Sequence, residues 1–298
     1  MALKRLLSYV WKLPLCALAF LIGMIAGGII LPLLGLQAPA MPAGTDANTI
    51  MLYFLLGSLI LAVALSFLSQ GLDDGWAIRA LVLGLFSWAW NSVGMVLEAG
   101  VFMTTGAASS GGAMLFTMLN MLLPSLTLAG MVALLFRPDP AQASQAPGLR
   151  GLLTMRPGRE SVWRFAAAIV AFPAIYIACG LLVRPFIEGY YASGAYELAS
   201  PTWGQIIPLQ LARSVLFLLA SLPIVAAWRD PSRSLALPLG LAIWVLVAFT
   251  AVITAYWFPW QMRLFHGLEL AVDSFGYAAV LVLLLGRPRT ALAASRAD

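Results

Sequence analysis

The chain has 298 residues, of which 62% are apolar and only 10% charged, with a mean hydropathy of +0.93. Soluble proteins carry about 25% charged residues, so this chain cannot cover a water-facing surface and reads as an all-α, polytopic integral membrane protein. Two cysteines in apolar runs, Cys16 and Cys179, exclude a disulfide framework and a cysteine-based metal cluster, and a lone His266 excludes a multi-histidine site.

Crossing a bilayer core of about 30 Å takes roughly 20 apolar residues. Such stretches recur eight times, over 12–35, 49–69, 79–103, 111–136, 163–187, 205–228, 235–257 and 264–286. The first follows Lys4, Arg5 and Lys12 as a signal peptide would. Its apolar core is too long for one and no clear cleavage site follows, so it reads as a retained helix, with a signal anchor as the alternative. Gly23 and Gly27 form a GxxxG that permits close contact with another helix.

On the third helix Ser87, Asn91, Gly94 and Glu98 recur at steps of 4, 3 and 4, a small and polar face ending in a carboxylate. Pro124, Pro173 and Pro223, in the fourth, fifth and sixth helices, are the interior prolines expected to bend them. Arg184 and Glu188, at i,i+4 near the end of the fifth helix, can pair with each other. Gln210 and Arg213 lie one turn apart on the sixth helix, and Arg213 stands about 13 Å below its start. On the eighth, Arg263, His266, Glu269, Asp273 and Tyr277 share an arc of roughly 120°, with Asp273 about 15 Å deeper than Arg263. Arg263 is long enough to snorkel to the interface; Asp273 is not.

With the N-terminus in the cytoplasm, 14 of the 17 basic residues fall in inner segments, Arg79, Arg137, Arg164 and Arg229 among them. This is the positive-inside pattern, and it predicts both termini in the cytoplasm of a cell bearing an inner membrane. Tyr190, Tyr191, Tyr196 and Trp203 flank one outer loop and Tyr256, Trp257 and Trp260 another, as an aromatic belt would. The basic pI then reflects loops facing anionic lipid, and no nucleic-acid partner is implied.

The chain also repeats itself. Val10-Trp11-Lys12 returns as Val162-Trp163-Arg164, RALVLGLFSW (79–88) aligns with LALPLGLAIW (235–244), and Arg137-Pro138 mirrors Arg287-Pro288. The expected organisation is two parallel four-helix repeats, 1–136 and 162–298, joined by a cytoplasmic Pro- and Gly-rich linker, 137–161. The copies differ in polarity. Phe116, Leu119 and Leu123 stand opposite His266, Glu269 and Asp273, and Gly57 stands opposite Arg213.

No HExxH, GxSxG, P-loop or helix-opening GxGxxG is present. One imidazole among carboxylates is a weak zinc signature, so no metal or cofactor is assigned. Ionisable groups inside a membrane usually face a protein interior or a wet cavity. Glu98, Asn91, Arg213, Arg263, His266, Glu269 and Asp273 are therefore the candidate substrate-binding or proton-relay residues, with Arg213 expected to pair with Asp273 or Glu98. The leading reading is a small carrier or permease-like protein. Its outward-facing cavity would bind a polar solute, a proton or a lipid headgroup. The alternatives are an enzyme acting on a lipid-linked substrate with His266 as acid or base, and a noncatalytic membrane subunit or assembly factor held by a partner.

Overall fold

A computed structural model describes residues 2–40, 46–104, 110–138, 158–193, 196–229, 232–249, 252 and 255–286. Among the described residues, seven helices are long and apolar enough to cross a membrane. They are α1 (Ala2–Leu33), α2 (Ala47–Gly71), α3 (Trp76–Phe102), α4 (Gly111–Leu135), α5 (Gly158–Ala192), α6 (Trp203–Ala227) and α8 (Trp260–Leu285). Between the last two lies a shorter one, α7, which runs Ala236–Trp244 and continues as a π turn over Val245–Phe249. Large apolar side chains face outward along the bundle, including Leu182, Leu219 and Leu283. Water would not tolerate so much exposed apolar surface; lipid does, and the architecture is that of a multi-pass membrane protein.

The seventh helix departs from expectation. Its hydropathy window runs to 257, but Tyr256, Trp257 and Phe258 belong to a loop. The Tyr256 ring stacks on Tyr53, and its hydroxyl accepts the Asp46 N–H at 3.0 Å. A hydropathy sum counts these rings as membrane-spanning when they tie the loop to the start of α2. The expected linker falls almost wholly outside the described residues, as does the Arg287-Pro288 pair. Pro173 and Pro223 stand inside unbroken helices, whereas α4 breaks at Met121, three residues before Pro124.

Helix packing follows small residues and capped ends. A Cβ on Gly23 would sit 2.5 Å from Thr127 Oγ1 and 2.7 Å from Pro124 Cα, so the GxxxG seats α1 on α4 within the chain. Thr127 Oγ1 fastens the contact by donating to the Ala19 carbonyl at 2.8 Å. Arg79, expected as an orienting charge in an inner loop, is instead 3% exposed. Its guanidinium donates to the Ser69, Ala133 and Phe136 carbonyls at 2.8–3.3 Å, occupying the orphan acceptors at the ends of α2 and α4. Arg164 serves the end of α8 through the Leu284 carbonyl at 2.6 Å.

The two halves pack alike. Helix α1 lies on α2 and α4 and α3 on α4, while α5 lies on α6 and α8 and α7 on α8; the halves meet through α2 with α7 and α3 with α6. Helices α2 and α6 are each 25 residues long and begin 156 residues apart, behind the N-cap residues Asp46 and Thr202. The π turns Ala89–Val93 in α3 and Val245–Phe249 in α7 are also 156 residues apart. Leu72 and Trp228, with the same separation, cap the ends of α2 and α6 and pair with each other. There the Asp73 N–H donates to the Ala227 carbonyl and the Arg229 N–H to the Gly71 carbonyl.

Candidate functional site

The end of the bundle where α1 finishes and α2 begins, called upper here, is the one the charge asymmetry expects outside. Residues 102–104 at the end of α3 pair there with 197–199. The Thr104 N–H donates to the Glu197 carbonyl at 3.0 Å and the Ala199 N–H to the Phe102 carbonyl at 2.9 Å. Glu197 turns the chain in the left-handed region, φ +56°, which ordinary residues adopt only under local constraint. This short ladder roofs two adjoining cavities.

The first cavity, about 280 Å³, lies between α5, the start of α6 and α8, and is lined by Tyr176, Gly180, Tyr191, Trp203, His266 and Glu269. The second, about 260 Å³, lies between α3, α5, α7 and α8, with Glu98, Trp257, Arg263 and His266 in its wall. Phe102, Tyr176, Tyr191 and His266 belong to both. At the rim of the first, Arg184 and Glu188 pair at 2.6 Å with both side chains exposed, an arrangement worth a few tenths of a kcal/mol.

Glu98, 7% exposed, is held from two sides. The Tyr176 hydroxyl donates to Oε1 at 2.9 Å, and Arg213 Nη2 stands 2.9 Å from Oε2. That N–H is not aimed along the line to Oε2, so the contact is an ion pair by distance and not an aligned hydrogen bond. Arg213 Nη1 does donate to Gln210 Oε1 at 2.9 Å, which orders the guanidinium one turn along α6. The guanidinium also lies 5.3–5.9 Å from the ring centres of Phe217, Phe172 and Tyr176, a cation–π cradle that offsets part of the lost hydration. Below it Trp90 stacks on Phe217 at 3.6 Å and donates its indole N–H to Ser221. The ring fits there because position 94 is glycine: a Cβ would lie 2.4 Å from Phe217.

On α8, His266 Nδ1 and Glu269 Oε2 are 2.9 Å apart, the imidazole reaching the cavities and the carboxylate 4% exposed. Glu269 Oε1 points at Gly180, 3.2 Å from where a Cβ would stand. Arg263 stands near the start of α8. It is half-buried, lines the second cavity and donates to the Val252 carbonyl at 3.1 Å.

The structure thus brings five of the predicted residues around one space: Glu98, Arg263, His266 and Glu269 line it, and Arg213 pairs with Glu98. Two stand apart. Asp273 lines neither cavity and does not pair with Arg213; it is buried one turn below Glu269. Asn91 is half-buried in the π turn of α3 and also lines neither. Tyr176 and Tyr191, which sequence reasoning did not select, sit at the centre of the site. Tyr191 reads as a belt residue by position but turns inward, and Tyr176 carries only a weak signal, a hydroxyl in an apolar run just after Pro173. Among the described residues, no three His, Cys, Asp or Glu side chains converge as a metal-holding set.

No protein-family model, curated protein or solved structure matches this chain.

Proposed function

We propose that the protein is a small carrier of permease type, placed in an inner membrane with both termini in the cytoplasm, whose upper cavities open outward and take a polar solute. The observation that carries this reading is the shared wall. His266 belongs to both cavities, carboxylates and a guanidinium converge on it, and the Glu98–Arg213 pair, 1% exposed on the arginine side, lies against the same space. Ionisable groups at such depth mark solute or ion pathways more often than they mark packing. The matched packing of the two halves, and the elements separated by 156 residues, support a duplicated four-helix unit. Internal repeats of this kind are common among transporters, which place the binding site between the units.

The test is access followed by binding. In a variant with Cys16→Ser and Cys179→Ala, Ala99→Cys in the second cavity should react with a membrane-impermeant thiol reagent added outside intact cells, and the fully buried Ala133→Cys should not. The purified protein should then be stabilised thermally by at least one class in a panel of polar solutes, and the His266→Ala variant by none. An Ala99→Cys thiol that never reacts from outside refutes the outward-facing cavity. Folded Glu98→Gln and His266→Ala variants that keep full binding refute the site.

One observation favours a second reading. The His266–Glu269 dyad has the geometry of a general base oriented by a carboxylate, which would serve an enzyme acting on a lipid-linked substrate. Such an enzyme would turn over its substrate with His266 intact and lose turnover, with binding retained, in His266→Gln.

A further inference from the structure

Asp273 is 3% exposed; neither carboxylate oxygen meets an N–H or O–H donor among the described residues, and the group set against it is the Cys179 thiol, a weak donor with no charge. Several neighbours share this state: Tyr277 OH on α8, and Ser214 Oγ and Gln210 Nε2 on α6, are all buried with no partner found. The Tyr277 hydroxyl faces Ser214 and the Cys179 thiol faces Asp273, so the orphan atoms form a connected polar zone directly beneath the cavities. Glu269 and Asp273 are one turn apart on α8, and Glu269 Oε1 turns toward Gly180 beside Cys179.

The charges around Asp273 decide its state. On its own helix Glu269 stands one turn above and Tyr277 one turn below, and His266, the Cys179 thiol of α5 and Glu98 of α3 are the other titratable groups within electrostatic reach. Helix α7 contributes no titratable side chain, and the guanidinium of α6 is taken by Glu98 and Gln210. Glu269 and Glu98 are like charges, and the nearer of the two already has His266. An ionised Asp273 would therefore be a buried anion with no counter-ion, the arrangement proteins avoid most strongly. A neutral acid at this position keeps one O–H to donate into the polar zone.

We propose that Asp273 is a proton-binding site, loaded from the upper cavities through His266 and Glu269, so that the solute carried by this protein moves with a proton. The step is simple. One carboxylate oxygen takes one proton, given up by hydronium in the outer water, which becomes water, by way of the imidazole and the Glu269 carboxylate; the side chain goes from −1 to neutral, and nothing is oxidised or reduced. The proton site stands on the geometry of Asp273 alone, but its use in coupling rests on the carrier reading.

Infrared spectroscopy of the purified, lipid-reconstituted protein tests the site without any solute. Between about pH 5 and pH 9, where exposed carboxylates are ionised, the wild type should show the C=O stretch of a protonated carboxylic acid. Asp273→Asn should remove this band. Asp273→Glu, which keeps the acid, should shift it without abolishing it. In D₂O the band should exchange at least about tenfold more slowly in His266→Ala, which lacks the relay group. A band missing throughout this range, or indifferent to both Asp273 substitutions, overturns the site. An exchange rate unchanged in His266→Ala overturns the inlet. Thiol labelling at Ala99→Cys reports independently on the cavity, so failure of the carrier reading and failure of the proton site give different results.

Discussion

Removing Arg213 and Glu98 together should be nearly harmless, and removing either alone should not. At the observed 2.9 Å the pair attracts by about 6 kcal/mol for an effective dielectric of about 20, and most of that is spent on stripping water from two ions that are 1% and 7% exposed. Arg213→Met leaves the Glu98 carboxylate with only the Tyr176 hydroxyl, at an expected loss of about 3–5 kcal/mol. Glu98→Leu strands a guanidinium that keeps Gln210 and three aromatic rings, so its loss should fall at about 3 kcal/mol, the lower end of the same range. The double substitution should lie within about 1 kcal/mol of the parent, because a buried pair can give way to apolar side chains without net loss. Since the double variant would also orphan the Tyr176 hydroxyl, the cycle is repeated with Tyr176→Phe in all four proteins, where Arg213→Met should lose still more because Glu98 then keeps neither partner. Unfolding by SDS in mixed micelles, followed by tryptophan fluorescence, gives the four free energies. A double variant as unstable as the sum of the singles would show that the two side chains do not act as a pair, and would refute the reasoning.

Gly94→Ala should cost about 1–3 kcal/mol by overpacking, because its methyl would meet Phe217 at 2.4 Å and that ring cannot retreat from Trp90. Gly28→Ala, with nothing within 4 Å, should be neutral or gain up to about 1 kcal/mol from helix propensity; thermal unfolding in detergent compares the two. At the N-cap of α2, hydrogen bonds from the Thr49 side chain, Thr49 N–H and Asn48 N–H hold the Asp46 carboxyl below its ordinary value of 3.8. A depressed value in the folded state means that the cap is fully present above about pH 4 and is lost as pH falls through that lowered value. Amide exchange at Asn48 and Thr49 should accelerate there, and Asp46→Asn, which caps without a charge, should abolish the pH dependence; equal acid sensitivity in both proteins would refute it.

What was legible in the chain was what hydropathy and helical period encode. The long apolar helices and the burial of Glu269 and Asp273 follow from spacing alone, as does the Arg184–Glu188 pair. The third helix was read less well, for a definite reason. Ser87, Asn91, Gly94 and Glu98 share one face only if every turn has the α period, and the π turn over Ala89–Val93 inserts an extra residue. That advances the phase by about 100°, so the face divides: Asn91 stays in the π turn, Gly94 seats Phe217 and Glu98 reaches the cavity. Spacing leaves Glu98 and Asp273 both open as the partner of Arg213, since depth follows from counting residues and azimuth does not; the structure pairs it with Glu98. The burial of Arg79 is not legible either, because a guanidinium capping helix ends looks, in sequence, like any loop cation.

The π turns also bear on why only one side of the bundle is polar. Trp90 follows the first residue of one turn, and the residue 156 positions later, in the other, is Leu246; Phe217, on which Trp90 stacks, has Leu61 at the matching position of α2. Both leucines are fully buried. If the halves descend from one unit, the α2–α7 contact is closed by aliphatic side chains that need no partners, while the equivalent α3–α6 contact holds Trp90, Phe217 and the Arg213–Glu98 pair. Aliphatic packing has no unsatisfied atoms to accommodate, so the first contact can hold the halves together and leave the second free to carry buried charge. On that descent, the Arg213–Glu98 pair occupies the one contact between halves that the aliphatic α2–α7 contact does not have to duplicate.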